Sequence, residues 1–389
     1  MLMADTLEHV SGPIDLAIRR SLRTIPPILG VPQPRDRKLD PLVTSPKTVL
    51  TVLLVSLTLL VTMAAEPAVA GKKDRHRFHS GKVYRGSFPD PDVFHLGRLW
   101  IAVSTTVAQR SLPMVTSRNG RVWRGRKAHG PAHRRTNDAM VGAPSWAARK
   151  PAGARRFIPV WAPALGRAST GRWLAAYAAP LRRHPGKRCI GIATSRRALG
   201  PFRNHRKRPL VCPAGQGVID PDIYRNGHRT YLLWKTEGRG RARTTIWIRP
   251  LRHDGRGFRP GSRAHALLAP ARPWEGQLIE NPSMIRHHGR LYLFYSANRW
   301  YSRHYAIGYA VCRSVLGPCR RTQRGPLLAS GRGVAGPGGE SALHGPRGQL
   351  LMAYAAWPAG RVGHERRLHV ATLKARKHGR LVVTKRFRR

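Results

Sequence analysis

The sequence of 389 residues is poor in acidic side chains: 18 Asp and Glu stand against 71 Lys and Arg, for a formal net charge of +53. This balance excludes an acidic, solvating protein. Only four cysteines are present and none forms a CxxC pair, so neither a disulfide-built scaffold nor a cysteine zinc site is expected. Long amphipathic helices are missing, because 39 Gly and 32 Pro interrupt almost every candidate window. The chain still holds ten Trp, ten Tyr and eight Phe in a 41% hydrophobic composition, which is enough for a large folded core.

The excess of positive charge raises the question of nucleic-acid binding, since cationic surfaces gain affinity by releasing counterions from phosphates. The basic residues are spread from Arg19 to Arg389, and no zinc finger, RRM, KH or bZIP signature is found. We therefore expect no specific nucleic-acid binding. The charge is interpreted as an Arg-rich surface that favours an anionic wall polymer. A polyanion binder without sugar affinity is kept as an alternative function class.

The N-terminal part contains an uncharged apolar run at residues 48–65, followed by an A-x-A sequence ending at Ala70. This pattern is typical of a signal peptide, and we expect cleavage after Ala70 and a secreted or cell-wall-associated protein. The run also reaches the lower limit for a membrane span, so an uncleaved anchor is the competing interpretation. The predicted organisation is an N-terminal extension over 1–70, a linker over 71–83 and a catalytic domain over 84–389. The long extension suggests that translation begins near Val43.

In an exported protein the four cysteines are expected to form disulfides. Cys312 and Cys319 bracket a Gly-Pro turn and are predicted to pair, as are Cys189 and Cys212 across the loop that carries another Gly-Pro. The alternative is four free buried thiols.

One pattern recurs five times beyond residue 84: a polar or acidic start, a turn glycine, and an aromatic-rich apolar strand. The intervals between successive turn glycines are 74, 56, 62 and 59 residues, close to the length of a four-stranded blade with its loops. Each copy is typical of the innermost hairpin of a blade. The sequence therefore predicts an all-β five-bladed propeller. The alternative is a β-sandwich whose hairpins happen to be evenly spaced. The final segment, 373–389, is predicted to form a strand that closes the ring with residues near Val83.

Three of the repeat starts are acidic and lead into a proline: Asp90, Asp220 and Glu280. Glu340 opens the last copy without that proline and carries less weight. Because innermost strands start at one end of the propeller axis, carboxylates at equivalent repeat positions are expected to line a single pocket. Such a pocket can bind a hard cation or perform acid/base chemistry. Inverting glycoside hydrolysis fits the second use, with one carboxylate as base, another as acid, and a third that raises the pKa of the acid.

Several segments together resemble the five-bladed propellers of glycoside hydrolase family 43, which includes arabinanases, α-L-arabinofuranosidases and β-xylosidases. The resemblance covers about residues 84–372 and is carried chiefly by FPDPDV at 88–93, WAP at 161–163, VIDPDIY at 218–224 and WEGQLIENPSMIRHHGRLYLFYSAN at 274–298. It implies that Asp90 is the general base, Glu280 the general acid, and Asp220 the residue that orients the acid and tunes its pKa.

Further residues are candidates for binding or support. Trp161 and Trp274 are predicted to be aromatic platforms for sugar rings, with burial in the core as the alternative. Ser296 and Asn298 are predicted rim contacts to substrate, with loop capping equally compatible. Asp92 and Asp222 lie two residues beyond Asp90 and Asp220 and are expected to make structural hydrogen bonds.

By this resemblance the protein is expected to be an exported, inverting hydrolase of arabinose- or xylose-containing polysaccharides, and a monomer. No cofactor is required. Many relatives carry an acidic residue where this chain has Ala164, and a histidine that faces an axial metal or water site where it has Ala355, so axial calcium is optional here. The alternative is a propeller that binds carbohydrate at the wall without cleaving it.

Overall fold

The structure is a computed structural model that describes residues 86–125, 138–152, 155–238, 243–331 and 333–387. The predicted signal peptide, its cleavage site and the linker lie outside these residues. Within the described ranges no helix is long and apolar enough to cross a membrane.

Five antiparallel blades follow one another along the chain and confirm the predicted propeller. Blade one contains β1 (Asp92–Leu96), β2 (Leu99–Val103), β3 (Met114–Ser117) and β4 (Arg124–Gly125). Blade two contains β8 (Trp161–Arg167), β9 (Trp173–Pro180), β10 (Arg188–Ser195) and β11 (Phe202–Asn204), with β5 (Met140–Val141) parallel to β11 at its outer edge. A separate hairpin pairs β6 (Lys150–Ala152) with β7 (Arg155–Phe157). These extra strands lie between the first two repeats and account for their longer interval.

The other three blades each have four strands. Blade three contains β12 (Val218–Asn226), β13 (Arg229–Thr236), β14 (Thr245–Pro250) and β15 (His265–Leu268). Blade four contains β16 (Ile279–His287), β17 (Arg290–Ala297), β18 (Ala306–Cys312) and β19 (Cys319–Arg321). Blade five contains β20 (Val334–His344), β21 (Leu350–Pro358), β22 (Arg367–Ala375) and β23 (Leu381–Phe387). Helical structure in the described ranges is limited to the 3-10 turns Pro273–Glu275 and Lys377–Gly379.

In every blade the predicted hairpin is the innermost strand pair, and the second strand of each pair is a nearly continuous apolar run. The run is buried because the strand lies between neighbouring blades, which cover both of its faces. Tyr177, Leu233, Phe294 and Tyr354 from four of these strands have at most 1% of their surface exposed. Burying such a side chain contributes about 1.5–3 kcal/mol, so the inner hairpins supply much of the core.

The innermost strands share a backbone irregularity near the end at which each of them starts. Five residues with positive φ occupy equivalent places, one in each blade: Asp90, Ala162, Asp220, Asn281 and Gly339. The pairing register slips around this position in blades two to five, as in a β-bulge. Bulges re-aim the adjacent side chains and are common next to active sites.

The bulge corrects one part of the sequence interpretation. Asp90 and Asp220 are equivalent, but the residue that corresponds to them in blade four is Asn281, so Glu280 lies one position earlier. Glu340 lies one position later than its blade's equivalent, Gly339. The sequence suggested equivalence of Asp90, Asp220 and Glu280 because each leads into a proline; the register at the bulge determines the actual alignment.

A second equivalent position links neighbouring blades around the axis. The Asp92 carboxylate accepts the Leu165 N–H (2.6 Å) and that of Asp222 accepts the Met284 N–H (3.0 Å). The hydroxyls of Ser283 and Ser341 likewise accept the N–H groups of the next blade, from Ala342 and Val93, each at 3.0 Å. Asp92 and Asp222 therefore make the expected structural hydrogen bonds. Ala164 occupies this position in blade two and has no side-chain acceptor, so the corresponding link to blade three cannot form.

The predicted closure of the ring by segment 373–389 involves residues near Val83, which lie outside the described residues. Within the described part, β23 pairs with β22 as the outermost strand of blade five. Blades five and one are joined where the Phe88 N–H donates to the Arg366 carbonyl (2.7 Å).

Both predicted disulfides are confirmed: Cys189 is bonded to Cys212 and Cys312 to Cys319. Each disulfide stays within one blade. The first joins β10 to the loop after β11 in blade two, and the second joins β18 to β19 in blade four. The described residues include no free cysteine.

Candidate active site

The three predicted catalytic carboxyls come together at one end of the axis, from blades one, three and four. Asp220 accepts the N–H of Asn281, the residue after Glu280, at 3.1 Å. The charge of Glu280 acts on both Asp90 and Asp220 and raises the pKa of each. The carboxyls thus share one electrostatic environment, as a single pocket requires.

Glu280 is buried between two hydrogen-bond donors. The ammonium of Lys235 lies 2.9 Å from Oε2, with only 4% of the lysine side chain and 7% of the glutamate side chain exposed. The Tyr305 hydroxyl donates to Oε1 at 2.8 Å, and burial raises the pKa of this phenol well above its usual value. Both oxygens of Glu280 are therefore oriented by proton donors, one of them charged.

The surroundings of Asp220 favour its neutral form. Burial raises its pKa well above the usual value, and the negative charges of Glu280 and Asp90 raise it further, while Lys235 and the Asn281 N–H act in the opposite direction. Lys235 can neutralise one carboxylate but not two, so the neutral acid form of the second carboxyl is favoured.

Asp90 is the most accessible of the three carboxyls, with 21% of its side chain exposed. Thr105 donates to Oδ2 at 2.7 Å, and the buried Arg366 guanidinium lies 3.5 Å from Oδ1. Burial raises the pKa of Asp90, and Arg366 counteracts part of that rise. Gly339 leaves space for the carboxyl, since a Cβ on this residue would lie 2.4 Å from Oδ1.

Arg366 is itself fixed by the fold. Its Nη2 donates to the carbonyls of Gly336 and Ala355, and its guanidinium lies against the rings of Tyr305 and Trp357. The arginine therefore holds Asp90 in place from blade five.

Glu340 adds a fourth buried carboxyl to the pocket. Ser296 donates to Oε2, and Oε1 has no hydrogen-bond partner among the described residues. Burial raises the pKa of Glu340 well above its usual value, with smaller contributions from Glu280 and Asp220. Ser296, a predicted rim contact, is fully buried and also accepts the Gly339 N–H (2.9 Å), so in this structure it supports Glu340.

The predicted sugar platforms occupy different environments. The Arg188 guanidinium stacks on Trp161, 3.2 Å from its ring centre, and leaves a sugar only the other face. Burial lowers the pKa of Arg188 to about 10. Trp274 stacks on Tyr295 with ring centres 6.0 Å apart, and its own carbonyl accepts a hydrogen bond from the Asn298 amide. Asn298 also donates to the His304 carbonyl, which is the loop-capping arrangement.

Two important residues were missed by the sequence reasoning. Lys235 interrupts the apolar strand β13 and pairs across the sheet with Ile219, the residue before Asp220, so its position carried a usable signal. A lysine in a buried strand needs a carboxylate partner. Arg366 lies among other basic residues in the loop before β22 and gave no comparable signal.

A cavity of about 20 Å³ is lined by Asp90 and Glu340 together with the second-position residues Asp92, Asp222, Ser283 and Ser341. It can hold a water but not a sugar ring. Burial raises the pKa of both Asp92 and Asp222 to about 7. Their carboxylates and both serine hydroxyls already accept backbone N–H groups. No group of three or more His, Cys, Asp or Glu in the described ranges is arranged to hold a metal ion.

The Lys235–Glu280 pair leads to a pH prediction. Replacing Lys235 by Met removes the positive charge that lowers the pKa of Asp220, so the Asp220 proton is held to higher pH. We expect the alkaline limb of the kcat/KM profile, which reports loss of that proton, to move up by roughly one pH unit or more. A Lys235→Arg variant, which keeps the charge, should move the limb much less.

Breaking a buried ion pair also costs about 3–5 kcal/mol of stability, because it leaves an uncompensated carboxylate. Denaturant unfolding should show this cost for Lys235→Met and its partial recovery in Lys235→Met combined with Glu280→Gln. An unchanged alkaline limb in a folded Lys235→Met protein would exclude the lysine from control of the proton.

Comparison with known proteins agrees with this geometry. Residues 82–380 match the model of glycosyl hydrolases family 43. The fold is similar to that of a thermostable family-43 glycoside hydrolase, with 23% identity, a TM-score of 0.65, and coverage of 79% of this chain and 96% of the other. It is also similar to an endo-1,4-β-xylanase from Bacteroides thetaiotaomicron (21% identity, TM-score 0.63, coverage 78% and 97%).

An α-L-arabinanase from Cellvibrio cellulosa, solved with arabinohexaose, has the same fold at 18% identity, with a TM-score of 0.56 and coverage of 77% and 96%. No curated protein sequence matches the chain. Structural likeness at these identities concerns the fold, whereas the family match spans most of the sequence. The chain therefore belongs to glycosyl hydrolase family 43, a family of inverting O-glycosyl hydrolases.

Proposed function

We propose that the protein hydrolyses arabinose- or xylose-containing polysaccharides or oligosaccharides, with Asp90 as general base, Glu280 as general acid and Asp220 as the residue that controls the proton of the acid. The observation that carries the proposal is the convergence of these carboxyls from three blades, with Glu280 held between Lys235 and Tyr305. The pentose substrate class rests on the family and on the names of the xylanase and arabinanase of similar fold.

The proposed reaction is a single displacement. Asp90 removes a proton from a water molecule, whose oxygen attacks the anomeric carbon as the glycosidic C–O bond breaks. Glu280 gives a proton to the leaving oxygen. Asp220 holds a further proton next to Glu280. Once Glu280 has given up its proton, Lys235 stabilises the resulting carboxylate. Arg366 and Thr105 keep Asp90 oriented for the attacking water.

A substrate panel tests this proposal. Purified protein is assayed on an aryl α-L-arabinofuranoside, an aryl β-D-xyloside, linear arabinan and xylan, and NMR follows the anomeric configuration of the first product. We expect turnover of at least one pentoside, with inversion. Sugar binding without turnover on any of the four would instead identify a non-catalytic carbohydrate-binding propeller.

We further propose that the protein is exported, with cleavage after Ala70. The two disulfides support an oxidising compartment. N-terminal sequencing of the mature protein is expected to begin at Gly71, and a mature chain that begins upstream of Lys47 would contradict export by this signal.

A further inference from the structure

Basic side chains are concentrated at the junction of blades two and three. Segment 203–208 reads RNHRKR, and segment 252–263 contributes four arginines against the single acidic residue Asp254. We call the central part of this surface the blade 2–3 basic patch. It consists of Arg172, Arg203, His205, Arg206 and Arg256.

The patch lies at the opposite end of the blades from the catalytic carboxyls. In blade two, Arg203 pairs with Thr194 of β10, Thr194 pairs with Leu174 of β9, and Leu174 pairs with Gly166 of β8. Gly166 lies near the end of β8 that is farther from Trp161, so Arg203 lies at that end of the blade. In blade three, residues 251–264 follow β14, whose last residue, Pro250, pairs with Tyr231 near the hairpin turn. The patch and the pocket are therefore separate surfaces.

Direct contacts bring the segments of the patch together. The Arg206 Nη1 donates to the Arg256 carbonyl at 3.0 Å, and the Thr170 N–H donates to the His253 carbonyl at 3.3 Å. The His205 ring is fixed by a 2.9 Å hydrogen bond with the Thr194 hydroxyl. The segments that carry the patch residues are thus held near each other by the fold.

The positive charge of the patch is not neutralised within it. Asp254 already interacts with the Arg252 guanidinium (3.3 Å) and the Arg256 N–H (3.0 Å). The buried Nε atoms of Arg206 and Arg256 have no hydrogen-bond partner in the described part of the chain. Burial lowers the pKa of His205, and the charges of Arg256, Arg172 and Arg203 lower it further, so these three charges all act on the His205 ring.

We propose that the blade 2–3 basic patch binds a linear polyuronate, an acidic polysaccharide that carries one carboxylate per sugar. Arginine guanidiniums pair with carboxylates through two parallel N–H···O bonds, and several of them along one surface suit a polymer with repeated carboxylates. Phosphodiester polymers offer similar oxygens, but a polysaccharide-hydrolase family and two disulfides favour an acidic polysaccharide outside the cytoplasm. The binding is independent of the proposed hydrolysis, because it uses another face of the propeller.

The test compares two triple variants of equal charge. One removes the patch arginines by Arg172→Gln, Arg203→Gln and Arg256→Gln; no side-chain hydrogen bond of these residues is found in the described ranges, so the fold should be kept. The control changes Arg98, Arg118 and Arg347 to Gln, exposed arginines in blades one and five. Binding to polygalacturonate is measured by calorimetry at low and at physiological salt.

We expect the patch variant to bind polygalacturonate roughly tenfold more weakly or worse, with a smaller salt dependence, and the control to stay within about twofold of the wild type. Equal losses in both variants would show that only net charge matters and would overturn the proposal. Tighter wild-type binding to a glycerol-phosphate polymer or to DNA than to polygalacturonate would overturn it as well.

A second readout needs no variant of the patch arginines. NMR titration of the His205 ring, assigned with a His205→Asn variant, should show its pKa rising when polygalacturonate is added, because bound carboxylates oppose the arginine charges. An unchanged His205 titration at saturating polymer would place the polymer elsewhere. Hydrolysis of an aryl pentoside by the patch variant should equal that of the wild type, so failure of the proposed activity and failure of this proposal are distinguishable.

Discussion

Replacing Asp90 by Asn is expected to lower kcat by about 10³-fold on every glycoside, whether its leaving group is good or poor. The amide cannot take a proton from water, and attack by water is needed for all substrates. The side chain should keep its place, because the Asn oxygen can face Arg366 while its NH2 group donates to the Thr105 hydroxyl. The loss should therefore appear in kcat with KM little changed.

Rescue and a matched control make this prediction specific. Azide needs no base, so it should restore turnover of an activated aryl glycoside by Asp90→Asn and give a glycosyl azide of inverted configuration. Asp92→Asn removes the same charge two residues away, at the inter-blade link, and should keep activity within a few-fold. If Asp90→Asn retained more than a tenth of wild-type activity, Asp90 would not be the base.

The second large effect is expected for Glu280→Gln, and it should depend on the leaving group. Natural oligosaccharides, whose leaving oxygen must be protonated, should lose about 10³-fold or more in kcat, whereas a dinitrophenyl glycoside should lose roughly tenfold. The glutamine can accept from Lys235 and donate to the Tyr305 oxygen, so the pocket should stay assembled. Plotting log kcat against the leaving-group pKa measures the difference.

The control for this variant is Glu237→Gln. Glu237 is a partly exposed acid that follows β13, the strand of Lys235, and it has no assigned part in the reaction. It should leave the leaving-group dependence as in the wild type. Equal losses of Glu280→Gln on activated and natural substrates would argue against protonation by Glu280 and in favour of a purely structural role.

The catalytic pocket and the blade 2–3 basic patch differ in the charged groups that they contain. The pocket contains four carboxyls, Asp90, Asp220, Glu280 and Glu340, with the cations Lys235 and Arg366 beside them. Burial favours the neutral form for those carboxyls that lack a cation, which lowers the negative charge of the pocket. Such a pocket suits uncharged pentose units, while the proposed anion-binding patch lies on another face.

The sequence by itself determined the fold class, the disulfide partners and the identity of the three carboxyls. These follow from local patterns: turn glycines at regular intervals, apolar strands after them, and acidic residues at the strand starts. Such patterns can be recognised in the sequence because each blade is built from a continuous stretch of chain, so neighbours in sequence are neighbours in space.

The tertiary structure alone decided how these residues work. The bulge moved Glu280 one place from the position equivalent to Asp90, and the pairing of β12 with β13 set Lys235 beside it. Arg366 reaches Asp90 from another blade, and Arg188 covers one face of Trp161. Contacts between blades depend on register and packing across the axis, which no local pattern of the chain encodes.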